Sequence, residues 1–187
     1  NILIYIPDLT QEWGGVRQYS IGLLKLCAEG KTNKYFIYHN NNDTEVLGVL
    51  ENNPHFQRVQ DSDVKIKTEK YLGRKLRGAK NRIAGKFKIG TEKIKLSFID
   101  TLCLQYKIDI LHCPYQFIPH TKEVKLITTL HDVQEIHFPE FFTAKERAYR
   151  ANAYLNFLSR ADFVILSYEH VKHDVIEYFK VESEKIG

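Results

Sequence analysis

Short apolar runs alternate along this chain with longer segments of helical periodicity, and this alternation constrains the fold more than any other feature. The apolar runs are rich in β-branched and aromatic residues, as buried strands are, and they lie at residues 1–6, 35–39, 56–60, 109–113, 124–130 and 163–167. Helical periodicity occurs at residues 16–29, 43–51, 92–106, 143–160 and 169–179. Because parallel strands need crossover connections that are usually helices, the sequence predicts an α/β domain with a doubly wound parallel sheet.

The carboxyl ends of the predicted strands are the expected place for a binding site. In open α/β sheets, ligands bind in the crevice outside the carboxyl ends of the strands. Three loops leave predicted strands at that edge, at residues 7–15, 114–121 and 131–142. Functional side chains are therefore expected in these loops.

Hydropathy and cysteine spacing indicate an ordinary cytoplasmic domain. No apolar run approaches the ~20 residues that span a bilayer, and the N-terminus lacks the charge and apolar order of a secretory signal. The 187 residues suit a single domain. Cys27, Cys103 and Cys113 are far apart and lack the spacing of a zinc site, which favours buried free thiols in a reducing compartment.

A cluster of positive charge separates the third predicted strand from the fourth. Residues 65–95 hold twelve lysines and arginines against two glutamates, while the rest of the chain is net acidic. We call residues 64–95 the basic insertion. Its apolar residues recur every three or four positions, as in an amphipathic helix. They are Leu72, Leu76, Ala79, Ile83 and Phe87.

Two interpretations of the basic insertion remain open. A cationic amphipathic helix can dock on an anionic membrane surface, where each basic residue contributes ~1 kcal/mol. It can equally be a solvated face over a local core, and four glycines in the segment weaken a continuous helix. Nucleic-acid binding is not expected, because such sites interleave aromatic residues with the charge and only Tyr71 and Phe87 are aromatic here.

Gly14 and Gly15 lie where the first loop turns into the first predicted helix. The N–H groups at a helix N-terminus point outward and the helix dipole favours an anion, so a phosphate can bind there. A tight turn that needs a positive φ explains the pair as well. The dinucleotide signature GxGxxG and the Walker motif are both absent. The glycine pair alone therefore does not distinguish a phosphate site from a tight turn.

His131 and Asp132 directly follow the fifth predicted strand. An imidazole and a carboxylate at this place can hold a sugar hydroxyl or steer a proton, although a hydrogen-bonded loop explains them too. The motif Asp61-Ser62-Asp63 has the DxD pattern of a site for a divalent cation. Its preceding strand is short and half polar, so we expect Asp63 to cap a helix and no metal ion to bind.

Four segments resemble the N-terminal domain of GT4 (group 1) retaining glycosyltransferases. They are the turn Gly14-Gly15-Val16-Arg17, the strand end DILHCPYQFIP, the stretch TLHDVQEIHFPEFF, and the C-terminal stretch SRADFVILSYEHVKHDVIEYFKVESEKI. The resemblance covers about residues 1–38 and 108–187. Residues 40–107 are not similar to the family.

The resemblance implies a Rossmann-like domain that forms the N-terminal, acceptor-side half of a GT-B architecture. Its substrates would be a nucleotide-sugar and a saccharide or lipid-linked acceptor, in the synthesis of cell-surface polysaccharide or glycolipid. Gly14 and Gly15 would lie near the donor diphosphate, and His131 would be the catalytic residue beside the donor sugar. The residues implied to contact the acceptor or the sugar are Arg17, Asp132, Gln134 and His137.

The family requires no side-chain nucleophile, because the leaving phosphate is thought to help deprotonate the acceptor. Neither a metal ion nor a cofactor is expected beside the nucleotide-sugar substrate. The family's second domain grips that donor and is not contained in these 187 residues, so we expect this chain alone to be inactive. The alternative is a stand-alone α/β binding module that docks on an anionic membrane or polyanion through residues 65–95.

Overall fold

A computed structural model describes residues 1–30, 32–51, 53–65, 96–121 and 124–187. Six parallel strands form one sheet in the order β3-β2-β1-β4-β5-β6. The strands are β1 Ile2–Tyr5, β2 Tyr35–Tyr38, β3 Phe56–Val59, β4 Ile110–Cys113, β5 Lys125–Leu130 and β6 Phe163–Leu166. The helices are α1 Gly14–Glu29, α2 Thr44–Glu51, α3 Phe98–Tyr106, α4 Gln134–His137, α5 Ala144–Arg160 and α6 Glu169–Phe179.

Side chains of the central strand β1 alternate between two cores on opposite faces of the sheet, as the period of a strand requires. Leu3 pairs in register with Phe36 and Leu111, and all three lie in a core that helices α3, α5 and α6 cover. Ile4 and Ile37 face the opposite core, under α1 and α2. The predicted α/β fold is therefore confirmed: the sheet is parallel, Rossmann-like and doubly wound.

The reversal of strand order lies between β1 and β4, at the centre of the sheet. This is the topological switch point, where open α/β sheets bind ligands. The loop after β1 leads through a 3-10 turn, Gln11–Trp13, into α1. Trp13 packs edge-on against Tyr115, which follows β4, with ring centroids 5.2 Å apart. The glycine pair is thus held beside the switch point.

Several predicted boundaries differ from the structure for local reasons. Helix α1 begins at Gly14, two residues before the predicted start. Helix α3 begins at Phe98 instead of residue 92, because Ser97 caps it and residues 96 and 97 are not helical. Helix α4 was not predicted, since four residues are too few to display a helical period. The described part of the β4–β5 connection, residues 114–121 and 124, contains no helix.

Thr143 is followed three residues later by Glu146, which predicts that Thr143 caps a helix, and the cysteines are expected to be buried free thiols. Thr143 caps α5, with its hydroxyl accepting from the N–H of Glu146 while the Glu146 carboxylate accepts from the N–H of Thr143. All three cysteines are free thiols; Cys103 and Cys113 are buried, whereas Cys27 is half-buried. Both predictions are confirmed apart from the partial exposure of Cys27.

Most of the basic insertion, residues 66–95, lies outside the described residues, so its amphipathic helix remains a prediction. The start of the insertion is anchored on α3: the N–H of Lys65 donates to the side chain of Gln105, which in turn donates to the carbonyl of Asp63. Among the described helices, none is long and apolar enough to cross a membrane.

Candidate functional site

A cleft of about 730 Å³ lies beyond the carboxyl ends of β5 and β6. One wall is the segment from His131 to Phe138, which contains α4; the other is the segment from Tyr168 to Asp174, which opens α6. We call it the α4–α6 cleft. Four of the predicted site residues line it, namely His131, Asp132, Gln134 and His137.

The imidazole of His131 is held in a fixed orientation. Its Nε2 lies 3.1 Å from the carbonyl oxygen of Pro114, and its Nδ1 lies 2.9 Å from the hydroxyl of Ser167. Because a carbonyl can only accept, Nε2 must carry the proton. In the neutral ring, Nδ1 then accepts from Ser167. A ligand hydroxyl can bind His131 at Nδ1 only by replacing that of Ser167.

Asp132, in the loop after β5, belongs to an ion-pair network that connects this loop with helix α5. Arg150 of α5 donates to Asp132 at 2.8 Å and to the buried carboxylate of Glu135 at 2.8 Å. Tyr154 accepts a further hydrogen bond from Arg150, and burial raises the pKa of Tyr154, so its hydroxyl stays protonated. The network fixes the loop after β5. The second carboxylate oxygen of Asp132 makes no hydrogen bond within the described part of the chain, and the side chain is 39% exposed.

His137 of α4 is hydrogen-bonded across the cleft to α6. Its Nε2 lies 2.7 Å from Oδ2 of Asp174, and the two side chains are 46% and 7% exposed, respectively. A half-exposed imidazole therefore rests on an almost fully buried carboxylate. Gln134, on the same short helix, is exposed at the cleft surface.

Gly14 and Gly15 are exposed at the first turn of α1. Gly14 has φ of +51°, a left-handed conformation that L side chains rarely adopt. A Cβ atom on either glycine would meet nothing within 4 Å, so open space lies in front of the helix N-terminus. The positive φ of Gly14 agrees with the tight turn, and the open space beside both glycines leaves room for an anion.

Tyr19 connects the start of α1 with the loop after β5. Its ring lies edge-on against His131, with centroids 4.8 Å apart, and its hydroxyl is 3.4 Å from that of Thr129. Through Tyr19, the helix that begins at the glycine pair therefore contacts the loop after β5.

Arg17 does not join this group. It is buried and makes two hydrogen bonds of 2.9 Å with Asp43 and an ion pair of 3.0 Å with Glu45. Although burial raises the pKa of Asp43, the hydrogen bond from Arg17 lowers it below its ordinary value. Since the guanidinium is committed to these carboxylates, we leave Arg17 out of the candidate site.

The acidic side chains at residues 61–63 also make hydrogen bonds to nearby residues. The hydroxyl of Tyr38 donates to Asp61, and Asp63 accepts from the N–H of Gln60 in a capping box that closes a 3-10 turn. Asp63 was expected to cap a helix itself, whereas Gln60 occupies the cap position and Asp63 is the last residue of the 3-10 turn. Within the described ranges, no group of three His, Cys, Asp or Glu side chains is placed to hold a metal ion.

Sequence patterns missed several residues of the site, above all Asp174, Ser167 and Arg150. A signal for Asp174 existed: it follows Val171 by three residues and precedes Val175, so it lies on the buried stripe of α6. An acidic residue on such a stripe needs a partner. Which partner it has is not encoded nearby, since His137 lies 37 residues away.

No protein-family model matches this chain, and a search of curated proteins finds no match either. The resemblance to GT4 glycosyltransferases therefore depends on the four sequence segments alone.

Proposed function

We propose that this chain is the acceptor-binding half of a nucleotide-sugar-dependent retaining glycosyltransferase, which acts in the synthesis of a cell-surface polysaccharide or glycolipid. The observation that carries the proposal is the contact of His131 with Tyr19, which lies on the helix that begins at the glycine turn. An anion site and a polar cleft at one edge of the sheet suit a substrate that joins a diphosphate to a sugar.

The diphosphate half of such a donor fits the N-terminus of α1. Free N–H groups and the helix dipole favour negative charge there. Gly14 and Gly15 add no Cβ atoms, so the backbone can approach phosphate oxygens closely. In this proposal the backbone binds the diphosphate without a lysine or arginine side chain from this loop. This agrees with the ion pair that Arg17 makes with Asp43.

The sugar half of the donor fits beside His131. A sugar hydroxyl replaces the hydroxyl of Ser167 on Nδ1, while the bond from Nε2 to Pro114 keeps the ring in place. The α4–α6 cleft then receives the acceptor, with Asp132, Gln134 and His137 on its walls. A second domain supplies the remaining donor contacts, so this chain binds without turnover.

A substitution of His131 tests the proposal in the protein that carries both domains. His131→Ala is expected to reduce sugar transfer by about 100-fold, because one hydrogen bond to the reacting substrate in a desolvated site contributes about 2.7 kcal/mol. Release of nucleoside diphosphate from a panel of UDP-, GDP- and ADP-linked sugars measures the transfer. The thermal midpoint of the same preparation reports whether the variant is folded.

The matched control is His120→Ala, since His120 is an exposed histidine outside the α4–α6 cleft. It should leave transfer unchanged. If the wild-type protein consumes no nucleotide-sugar, or if a folded His131→Ala variant transfers sugar at the wild-type rate, the proposed function is wrong.

A further inference from the structure

Aromatic rings lie in a row across the carboxyl ends of three adjacent strands. Tyr5 ends β1 and pairs in register with Tyr38, which ends β2, and their rings stack with centroids 5.0 Å apart. Tyr115 and Phe117 lie in the loop after β4, with ring centroids 6.0 Å apart. The ring of Phe117 is 6.3 Å from that of Tyr5. We call these four side chains the aromatic row.

The loop after β4 holds the ring of Phe117 in a fixed position at the surface. The buried hydroxyl of Thr128 on β5 donates to the carbonyl of Tyr115 at 2.8 Å and lies 3.2 Å from that of Phe117. Arg160 donates to the carbonyl of the next residue, Ile118, at 2.7 Å. Phe117 itself is 44% exposed. Because its ring stands on a rigid turn, a ligand that packs on it loses little free energy to ordering the protein.

Polar groups without protein partners lie beside this apolar ring. The hydroxyls of Tyr5 and Tyr115 make no hydrogen bond with any residue in the described part of the chain. Burial raises the pKa of Tyr5 to about 12, with a contribution from Asp8, and burial raises the pKa of Tyr115 as well. Both phenols therefore keep a proton to donate. Asp8, exposed three residues after Tyr5, offers oxygens that accept.

The combination of an exposed ring with free hydroxyl-binding groups suits a sugar. One face of a pyranose consists of C–H groups, which pack on the electron-rich face of an aromatic ring, and its rim consists of hydroxyls that both donate and accept. An aliphatic chain would cover Phe117 equally well. It would, however, take water from Tyr5, Tyr115 and Asp8 without replacing the lost hydrogen bonds, which costs free energy.

The aromatic row adjoins the cleft in which the proposed transfer occurs. Gln116, between the two rings of the loop, donates to the carbonyl of Asp132 at 3.1 Å, and Asp132 lines the α4–α6 cleft. The preceding residue, Pro114, supplies the carbonyl that orients His131. The loop after β4 therefore separates the cleft from Phe117, and a saccharide of more than one sugar unit can extend over this loop from one to the other.

We propose that the aromatic row is a saccharide-binding subsite, and that the acceptor is an oligosaccharide whose reacting unit lies in the α4–α6 cleft while a further unit packs on Phe117. This inference rests on the proposed glycosyl transfer. The hydroxyls of Tyr5 and Tyr115 bind hydroxyls of that further unit. Tyr38 supports the ring of Tyr5 from the interior, with its own hydroxyl donated to Asp61.

Binding of trisaccharides to the 187-residue chain tests the subsite without any turnover. Saturation-transfer NMR with cellotriose, maltotriose and chitotriose gives the dissociation constants, and at least one of the three should bind. Uridine and guanosine are titrated alongside, because nucleobases also stack on aromatic rings. If no trisaccharide binds, or if only a nucleoside does, the proposal is wrong.

Substitutions in the aromatic row show whether the ring itself binds the sugar. Phe117→Leu keeps an apolar side chain but removes the ring, and should weaken trisaccharide binding about tenfold, whereas Phe117→Tyr should bind as the wild type does. Tyr5→Phe keeps the stack on Tyr38 and should weaken binding about fivefold through the lost hydroxyl. The control is Tyr149→Leu, since Tyr149 is 75% exposed on α5, outside the row and the cleft. Thermal melting checks that each variant is folded.

Wild-type affinity in folded Phe117→Leu would mean that the sugar does not stack on this ring, and would overturn the proposal. The acceptor role is tested by turnover in the protein with both domains. There Phe117→Leu should raise the KM for the bound trisaccharide about tenfold and leave kcat and the KM for the nucleotide-sugar unchanged, as expected for loss of uniform binding.

The two proposals fail in different ways. A wild-type protein that transfers sugar, with the same acceptor KM in Phe117→Leu, refutes the subsite while the proposed function stands. A wild-type protein that binds a trisaccharide but consumes no nucleotide-sugar refutes the proposed function and the acceptor role, and leaves the aromatic row as a saccharide-binding site.

Discussion

Arg17 illustrates how a single residue takes its role from its three-dimensional neighbours. Its side chain is 8% exposed and that of Asp43 is 11% exposed. Asp43 also accepts from the N–H groups of Glu45 and Val46 at the start of α2. The ion pair therefore joins α1 to the N-terminus of α2, where a carboxylate is favoured by the helix dipole.

Removing this guanidinium should destabilise the fold. Arg17→Ala leaves the buried carboxylate of Asp43 without its cation, and we expect a loss of about 2 kcal/mol in the free energy of unfolding. Urea denaturation at neutral pH measures it. Lys25→Ala is the control, because Lys25 pairs with Glu45 at 3.6 Å on the surface and such pairs contribute less than about 1 kcal/mol. Equal losses in both variants would contradict the buried-pair explanation.

Helix α1 has the proposed donor-binding turn at its N-terminus and ordinary packing along its length. Its inner face buries Ile21 and Leu24 against the sheet, whereas Gly15 and Gly22 both face open space, with nothing within 4 Å of an added Cβ. The two glycines differ in position: Gly15 is in the first turn, where N–H groups are free, and Gly22 is in the helix interior.

This difference predicts different effects of the same substitution. Gly15→Ala should raise the KM for the nucleotide-sugar at least about tenfold, because a methyl group obstructs the approach of the diphosphate to the backbone. Gly22→Ala should leave KM unchanged. Neither should reduce stability, since alanine is a better helix former than glycine by about 1 kcal/mol. Steady-state kinetics and thermal melting of both variants decide the point, and equal KM values would remove the glycine turn from the donor site.

At the scale of the whole molecule, we expect two buried histidines to couple stability to pH. His112 of β4 is 7% exposed and contacts the hydroxyl of Thr129, and burial lowers its pKa to about 4. His39 at the end of β2 is fully buried, and burial lowers its pKa as well. Both rings are neutral in the folded sheet and accept a proton more readily in the unfolded chain.

The sign of the effect follows from this difference. The unfolded chain binds protons below pH ~6.5 while folded His112 binds them only near pH 4, so stability is complete above this window and is lost as the pH falls through it. At pH 4 the loss from His112 is about 3 kcal/mol. Urea denaturation between pH 7 and pH 4.5 should show a shallower pH dependence in His112→Leu and an unchanged one in His120→Leu. Parallel profiles in wild type and His112→Leu would show that His112 does not couple stability to pH.

The sequence by itself determined the features that depend on neighbours along the chain. The change between short apolar runs and segments with a period of about 3.6 residues predicted six strands and the five longer helices. The capping box of α5 was readable because Thr143 and Glu146 are three residues apart. Parallel strands followed because helices separate most of them. These features arise within one strand or one turn, so the order of the residues encodes them directly.

Only the tertiary structure decided which segments meet. Strand order and register depend on packing across the whole sheet, and the contacts of the site join residues far apart: His131 with Ser167, His137 with Asp174, and Arg17 with Asp43. The sequence placed His131, Asp132 and His137 at the right edge of the sheet but could not say that Asp174 would lie under His137, or that Arg17 would be consumed by an ion pair. Hydrogen bonds and ion pairs between distant segments depend on the packing of the two cores, because burial brings these polar groups within reach and removes water as their alternative partner.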